Sequence, residues 1–150
     1  MGRIIAIANQ KGGVGKTTTA INLSASLASM GQKVLALDMD PQGNMTSGLG
    51  VDKDGVEKTV YDLIIGNAGI EECLCKDVIE NLDVLPSNIN LSAAEIELIG
   101  IDNKEYLLKE EVDKIRDRYD FVIIDCPPAL SMLTINAMTT ADSDLVPIQC

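Results

Sequence analysis

The chain has 150 residues, of which 46% are hydrophobic and 23% charged, and its net charge at neutral pH is −11. That length fits one domain with a sizeable core. The acidic balance excludes a nucleic-acid-binding surface built from this stretch alone, because phosphate contacts need clustered Lys and Arg. Aromatic residues make up 3% and Trp is missing, which excludes a base-stacking platform.

In chain order, Arg3 to Ala8 reads as a buried parallel strand, a near-continuous apolar run. The next stretch is Asn9-Gln10-Lys11-Gly12-Gly13-Val14-Gly15-Lys16-Thr17-Thr18-Thr19. It opens into a helix from about Lys16 to Met30, with Ala20, Leu23, Leu27 and Met30 as the expected buried face and Gly31 as its C-terminal cap. Strand, Gly-rich turn and helix together form the context of a phosphate-binding loop. The glycines let backbone approach phosphate closely, and loop and helix-start N–H groups from Gly12 to Thr18 point at an anion. Lys16 supplies a charge for the β- and γ-phosphates, and Thr17 offers a hydroxyl to Mg²⁺.

Lys33 to Leu37 is the second strand, ending in Asp38-Met39-Asp40-Pro41-Gln42-Gly43-Asn44. Ligand groups in open α/β sheets gather at strand carboxyl ends, although Asp-Pro and Gly-Asn also favour plain turns. Thr46 to Lys58 reads as a surface loop. Thr59 to Ile65 reads as a short helix capped by Thr59, and Gly69 to Lys76 as a further helical turn. Leu82 to Pro86 is a short strand whose Asp and Pro suit a sheet edge. Ser92 to Glu95 has the form of a capping box for a helix to about Ile99. Lys104 to Arg118 reads as one amphipathic helix with Leu108, Val112, Ile115 and Tyr119 on its apolar face. Asp120 to Asp125 is an apolar strand ending in a carboxylate, the form of a Mg²⁺-associated strand. Pro127 and Pro128 stiffen the segment after it. Residues 131 to 140 are helical, and Leu145 to Ile148 form a fifth strand of the set.

Four cysteines (Cys73, Cys75, Cys126 and Cys150) and no histidine read as ordinary thiols, since Cys73-Leu74-Cys75 has no second pair to complete a metal site. The N-terminus has no secretory pattern and no apolar run reaches the roughly 18 residues of a membrane helix, so a cytoplasmic protein is expected.

The phosphate loop departs from G-x-x-x-x-G-K-[ST]: Gln10 stands where the first Gly belongs, and Lys11 stands at its entrance. Lys11-Gly12-Gly13-Val14-Gly15-Lys16-Thr17 resembles the deviant loop of the ParA/MinD ATPase superfamily. Asp38-Met39-Asp40-Pro41-Gln42-Gly43-Asn44 and Asp125-Cys126-Pro127-Pro128 resemble its second and third motifs, in the form seen in the chromosomal ParA (Soj) branch. The resemblance implies a three-layer α/β P-loop NTPase fold: a mostly parallel sheet ordered 3-2-4-1-5 with helices on both faces. It implies an Mg-dependent ATPase with ATP and Mg²⁺ as cofactors, weak alone and stimulated by a partner. Lys11 would reach the partner subunit's nucleotide, Asp40 would orient the attacking water, and Asp38 would lie near the Mg²⁺ held by Thr17 and Asp125. It further implies an ATP-dependent homodimer, a ParB-type partner, non-specific duplex DNA bound through regions beyond residue 150, no membrane, and a place on the nucleoid. Residues 1–150 are then expected to be one ATPase domain cut before its last strands and helices. The alternatives are a MinD-like membrane-associated ATPase, a nucleotide-gated metal-cluster carrier using Cys126, and a module that binds phosphate without turnover.

Overall fold

A computed structural model describes residues 2–8 and 15–145. Strand β1 (Arg3–Ile7) is followed by helix α1 (Lys16–Ser29), strand β2 (Val34–Asp38), helices α2 (Asn44–Gly48), α3 (Val60–Ile64) and α4 (Ile70–Cys73), and strands β3 (Cys75–Ile79) and β4 (Leu82–Leu85). Helices α5 (Ala94–Glu97) and α6 (Leu107–Asp113), strand β5 (Phe121–Asp125), helix α7 (Met132–Thr140) and strand β6 (Ser143–Leu145) complete it.

The strands form one sheet in the order β3-β4-β2-β5-β1-β6. All neighbours are parallel except β3 on β4. Counting the parallel strands alone along the chain, the order is the expected 3-2-4-1-5. The sheet is covered on both faces, and alternate residues feed two apolar layers. Ile4, Leu35, Leu37, Val122 and Ile124 point to the side carrying α3 to α7. Ile7, Val34, Ala36, Val84 and Ile123 point to the side carrying α1 and Met45 of α2. All five residues of β2 are buried, because the strand is covered on both faces and paired along both edges.

Several local expectations give way to tertiary context. The face of α1 against the sheet is Ala20, Ser24 and Ala28, with Leu23 and Leu27 at its margins and Met30 67% exposed. Small residues at i, i+4 and i+8 let the helix lie close on the sheet. The sequence from Cys75 is a strand rather than helix; it turns through Asn81, whose φ is +68°, and covers the edge of β4. Leu82–Leu85 is therefore an inner strand. Thr46 is not in a surface loop but wholly buried within α2. The predicted helix over 104–118 is three short pieces, an α-helix between two 3₁₀ turns, although Leu108, Val112, Ile115 and Tyr119 are all buried as expected. Ser92 caps nothing; Asn88 caps the 3₁₀ turn Ile89–Ala93 that leads into α5. Thr59 caps α3 as the sequence indicates, with Asp62 closing the capping box.

Candidate active site

The carboxyl ends of β1, β2 and β5 lie side by side, with Asp125 in register with Ile7 on one side and Asp38 on the other. Pairing continues one residue further, through Met39 N–H to the Asp125 carbonyl (2.9 Å) and Cys126 N–H to the Ile7 carbonyl (3.1 Å). Gly15, at φ +82°, turns the chain into α1 just above these ends. That left-handed position suits a residue without Cβ, and it starts the helix with Lys16, Thr17 and Thr18 in its first turn.

Lys16 is completely buried. Its Nζ is paired with Asp125 Oδ1, stands 3.7 Å from Asp40 Oδ2, and lies 3.4 Å from Thr17 Oγ1. Thr17 donates its hydroxyl to Asp125 Oδ2 at 3.1 Å. Thr18 is exposed. Asp40 is held in its turn by accepting the Gln42 N–H at 3.0 Å. Asp38 is buried just behind. Its Oδ1 accepts the Asp40 N–H (3.1 Å), and its Oδ2 accepts both the N–H (2.9 Å) and the hydroxyl (2.7 Å) of Thr46.

The site thus gathers three carboxylates, Asp38, Asp40 and Asp125, around one ammonium group among the described residues. The imbalance shows in protonation. Burial, then the negative charge of Asp125, pushes the Asp38 carboxyl up to about 7, against the pull of its hydrogen bonds from Thr46 and Asp40. Burial also raises Asp125, partly offset by Lys16 and Thr17. The Cys126 thiol, buried beside Asp125, is pushed up to about 12, so it stays protonated and unreactive at neutral pH.

Residues 2–150 match the AAA domain family AAA_31. The chain belongs to that family, within the ParA/MinD superfamily of P-loop ATPases. The sporulation initiation inhibitor protein Soj of Bacillus subtilis is 53% identical over the whole chain, which spans 59% of that protein. The chromosome partitioning protein ParA of Myxococcus xanthus is 50% identical, and the chain spans 53% of it. Among solved structures, a cobyrinic acid a,c-diamide synthase from Mycobacterium smegmatis with bound ATP analogue and magnesium superimposes with a TM-score of 0.95 at 42% identity, over the whole chain and 61% of that protein. The chain therefore spans between about half and three-fifths of the length of these similar proteins.

This P-loop site has the donors a magnesium ion takes. The Thr17 hydroxyl and the Asp125 carboxylate are hard oxygens 3.1 Å apart. Mg²⁺ accepts one or two such protein ligands and completes its octahedron with water and phosphate oxygens. The excess of carboxylate over cation among the described residues of the site points the same way. Both Asp38 oxygens already accept protein hydrogen bonds, so Asp38 fits behind the ion as a support rather than on it.

Of the residues singled out in the sequence, Lys16, Thr17, Asp38, Asp40 and Asp125 converge here. Lys11, Gly12, Gly13 and Val14 lie outside the described residues, as do Cys150 and Val146 to Ile148 of the last strand. Thr46 and Ser87 also belong to this end of the sheet, and no motif announced them. Glu95 is a third addition. Its carboxylate accepts the N–H groups of Met132 and Leu133 at 3.1 Å each, so a residue read as part of a local capping box instead caps the helix that follows the Asp125 strand. A sequence signal exists only for Ser131, the local cap of the same helix.

Proposed function

We propose that the protein is an Mg²⁺-dependent ATPase switch that partitions chromosomal or plasmid DNA. The carrying observation is the buried Lys16 ammonium held by Asp125 and facing Asp40 at the start of α1. In this reading Lys16 exchanges its contact with Asp125 for the β- and γ-phosphates of ATP, while the N–H groups of the loop from Gly12 to Thr18 surround the phosphate chain. Thr17 and Asp125 would hold Mg²⁺, which would supply positive charge against the phosphates. Asp38 supports the turn behind them. Asp40 accepts a hydrogen bond from the attacking water and sets it in line with the γ-phosphate. Lys11 supplies a cation to the nucleotide of a second subunit, an effect worth on the order of 10³–10⁵ in rate in comparable phosphoryl transfers, so turnover depends on dimerisation.

The cargo is proposed for the whole protein. Relatives at 53% and 50% identity are named for sporulation control and chromosome partitioning, which supports an ATP-dependent homodimer, a ParB-type partner that stimulates hydrolysis, and non-specific duplex DNA bound through residues beyond 150, on the nucleoid of the cytoplasm. The cobyrinic acid a,c-diamide synthase carries a name from other chemistry. No helix among the described residues is long and apolar enough to cross a membrane.

Co-sedimentation of the complete gene product with duplex DNA and with anionic liposomes, in ATP and in ADP at one stated salt concentration, tests the reading. Pelleting with DNA in ATP alone is expected. Pelleting with liposomes alone would transfer the protein to a MinD-like role with the same phosphate site.

A further inference from the structure

We propose that Thr46 and Ser87 are positioning residues for Asp40, locking its main chain so that its carboxylate meets the attacking water; this rests on Asp40 being the group that orients that water. Four buried residues form a closed circuit of hydrogen bonds. Asp40 donates its N–H to Asp38 Oδ1 at 3.1 Å. Thr46 donates its hydroxyl to Asp38 Oδ2 at 2.7 Å. Ser87 donates its N–H to Thr46 Oγ1 at 3.0 Å and its hydroxyl to the Asp40 carbonyl at 2.7 Å. The circuit returns to the residue where it began.

Its members come from three parts of the chain: the end of β2, helix α2, and the segment just after β4. Asp38, Thr46 and Ser87 have no exposed surface, and Asp40 is 5% exposed. The donors have little choice of direction. An amide can only donate and a carbonyl can only accept, so Ser87 must give its N–H to Thr46 and its hydroxyl to Asp40. Thr46, accepting from Ser87, turns its own hydrogen toward Asp38. Rotating either hydroxyl away would leave a buried group without a partner.

The consequence for Asp40 is specific. Both polar groups of its main chain are engaged: the N–H by Asp38 two residues back, the carbonyl by the Ser87 hydroxyl and by the Gly43 N–H at 2.9 Å. Of its carboxylate, Oδ1 is held by Gln42 N–H and Oδ2 faces Lys16. The turn is also pressed from outside. Gly43 sits at φ +64°, and a Cβ there would come within 3.1 Å of the Ser87 carbonyl oxygen. A displacement of about 1 Å in a group that orients a reactant can cost on the order of 10²-fold in rate, and the circuit guards against that displacement.

The test uses the complete gene product and measures kcat and KM for ATP beside the melting transition. Ser87→Ala and Thr46→Val should each lower kcat by roughly 10- to 100-fold with KM unchanged, while Thr46→Ser, which keeps the hydroxyl and loses only a methyl, should restore kcat. Wild-type kcat in folded Ser87→Ala and Thr46→Val protein would overturn the proposal. So would a Thr46→Ser variant as slow as Thr46→Val, since packing rather than the hydroxyl would then be responsible. Ser87→Cys, which preserves the shape and weakens the donor, replaces any truncation that does not fold and is judged by the same criterion. Asp40→Ala is run in parallel. Undiminished turnover there defeats the assignment of Asp40 itself, whereas abolished turnover with normal Ser87 and Thr46 variants defeats only the positioning role of those two residues.

Discussion

The two ends of the sheet handle their carboxylates in opposite ways. At the amino ends of the strands, Asp142, Asp120 and Asp83 each have a matched donor. Asp142 accepts the Ile4 N–H at 2.9 Å and pairs with Arg116, whose Nε also donates to the Gly2 carbonyl at 2.7 Å. Asp120 accepts the Lys33 N–H at 2.8 Å, and Asp83 accepts the Tyr119 hydroxyl at 2.6 Å. Burial alone would push the Asp142 carboxyl up, but Arg116, the Ile4 N–H and Arg3 outweigh it and hold the group below the usual carboxylate range. At the carboxyl ends, three carboxylates share one ammonium group among the described residues, and the Asp38 carboxyl rises to about 7. One end is balanced within the chain, as a structural closure should be. The other is left acidic, where a divalent cation and a polyphosphate can complete it together.

The contrast can be broken most forcefully at Lys16. Lys16→Ala should weaken ATP binding by about 100-fold or more, measured by titration calorimetry on the complete gene product, since truncating one partner of a buried charged contact costs roughly 2–5 kcal/mol. Unchanged affinity would remove the loop from the site. Asp38 gives the next largest effect. Its proton leaves near 3.8 in the unfolded chain and near 7 in the folded one. Between those values the native state binds more protons than the unfolded state, so this group's contribution to stability is present at low pH and is lost as pH rises toward 7. The total is on the order of a few kcal/mol. Asp38→Asn should therefore flatten the melting temperature against pH across that window, and a slope identical to wild type would contradict the charge imbalance.

At the balanced end, Arg116→Ala should destabilise the fold by roughly 1–3 kcal/mol in denaturant melts while ATP affinity stays where it was. A loss of affinity would show that the two ends are not independent. The smallest effect belongs to Glu95→Ala, which uncaps α7 and should cost about 1 kcal/mol, read as a shift in the same melts.

The sequence carried the centre of this fold and lost its margins for identifiable reasons. Strands β1, β2 and β5 are covered on both faces, so they read as unbroken apolar runs, and their terminal Asp38 and Asp125 stood out at the strand ends. The sheet order came from family resemblance, not from any run of residues. Strand β3 escaped because its residues are mixed and exposed on one side; the Glu80-Asn81 turn, with Asn81 at φ +68°, was the available cue. The leucines of α1 misdirected the choice of its inner face, because close approach to a sheet selects Ala20, Ser24 and Ala28 for their smallness rather than their hydrophobicity. Thr46 and Ser87 had no legible signal at all. A hydroxyl 8 residues from Asp38 and another 47 residues from Asp40 acquire meaning only when the chain brings β2, α2 and the end of β4 together.

The position of β5 has a consequence for the order of events as the chain is made. It lies between β1 and β2, pairing Arg3 with Phe121 on one edge and Val34 with Phe121 on the other. Until residue 121 is available, the first two strands have no common neighbour and each presents an unpaired edge. The 120 residues that precede β5 can collect their helices but cannot close the sheet, and contacts spanning more than a hundred residues are slow to form. A polypeptide paused on the ribosome before β5 emerges would expose three strand edges at once, both edges of β1 and the inner edge of β2, which makes that interval the one in which a chaperone has most to protect.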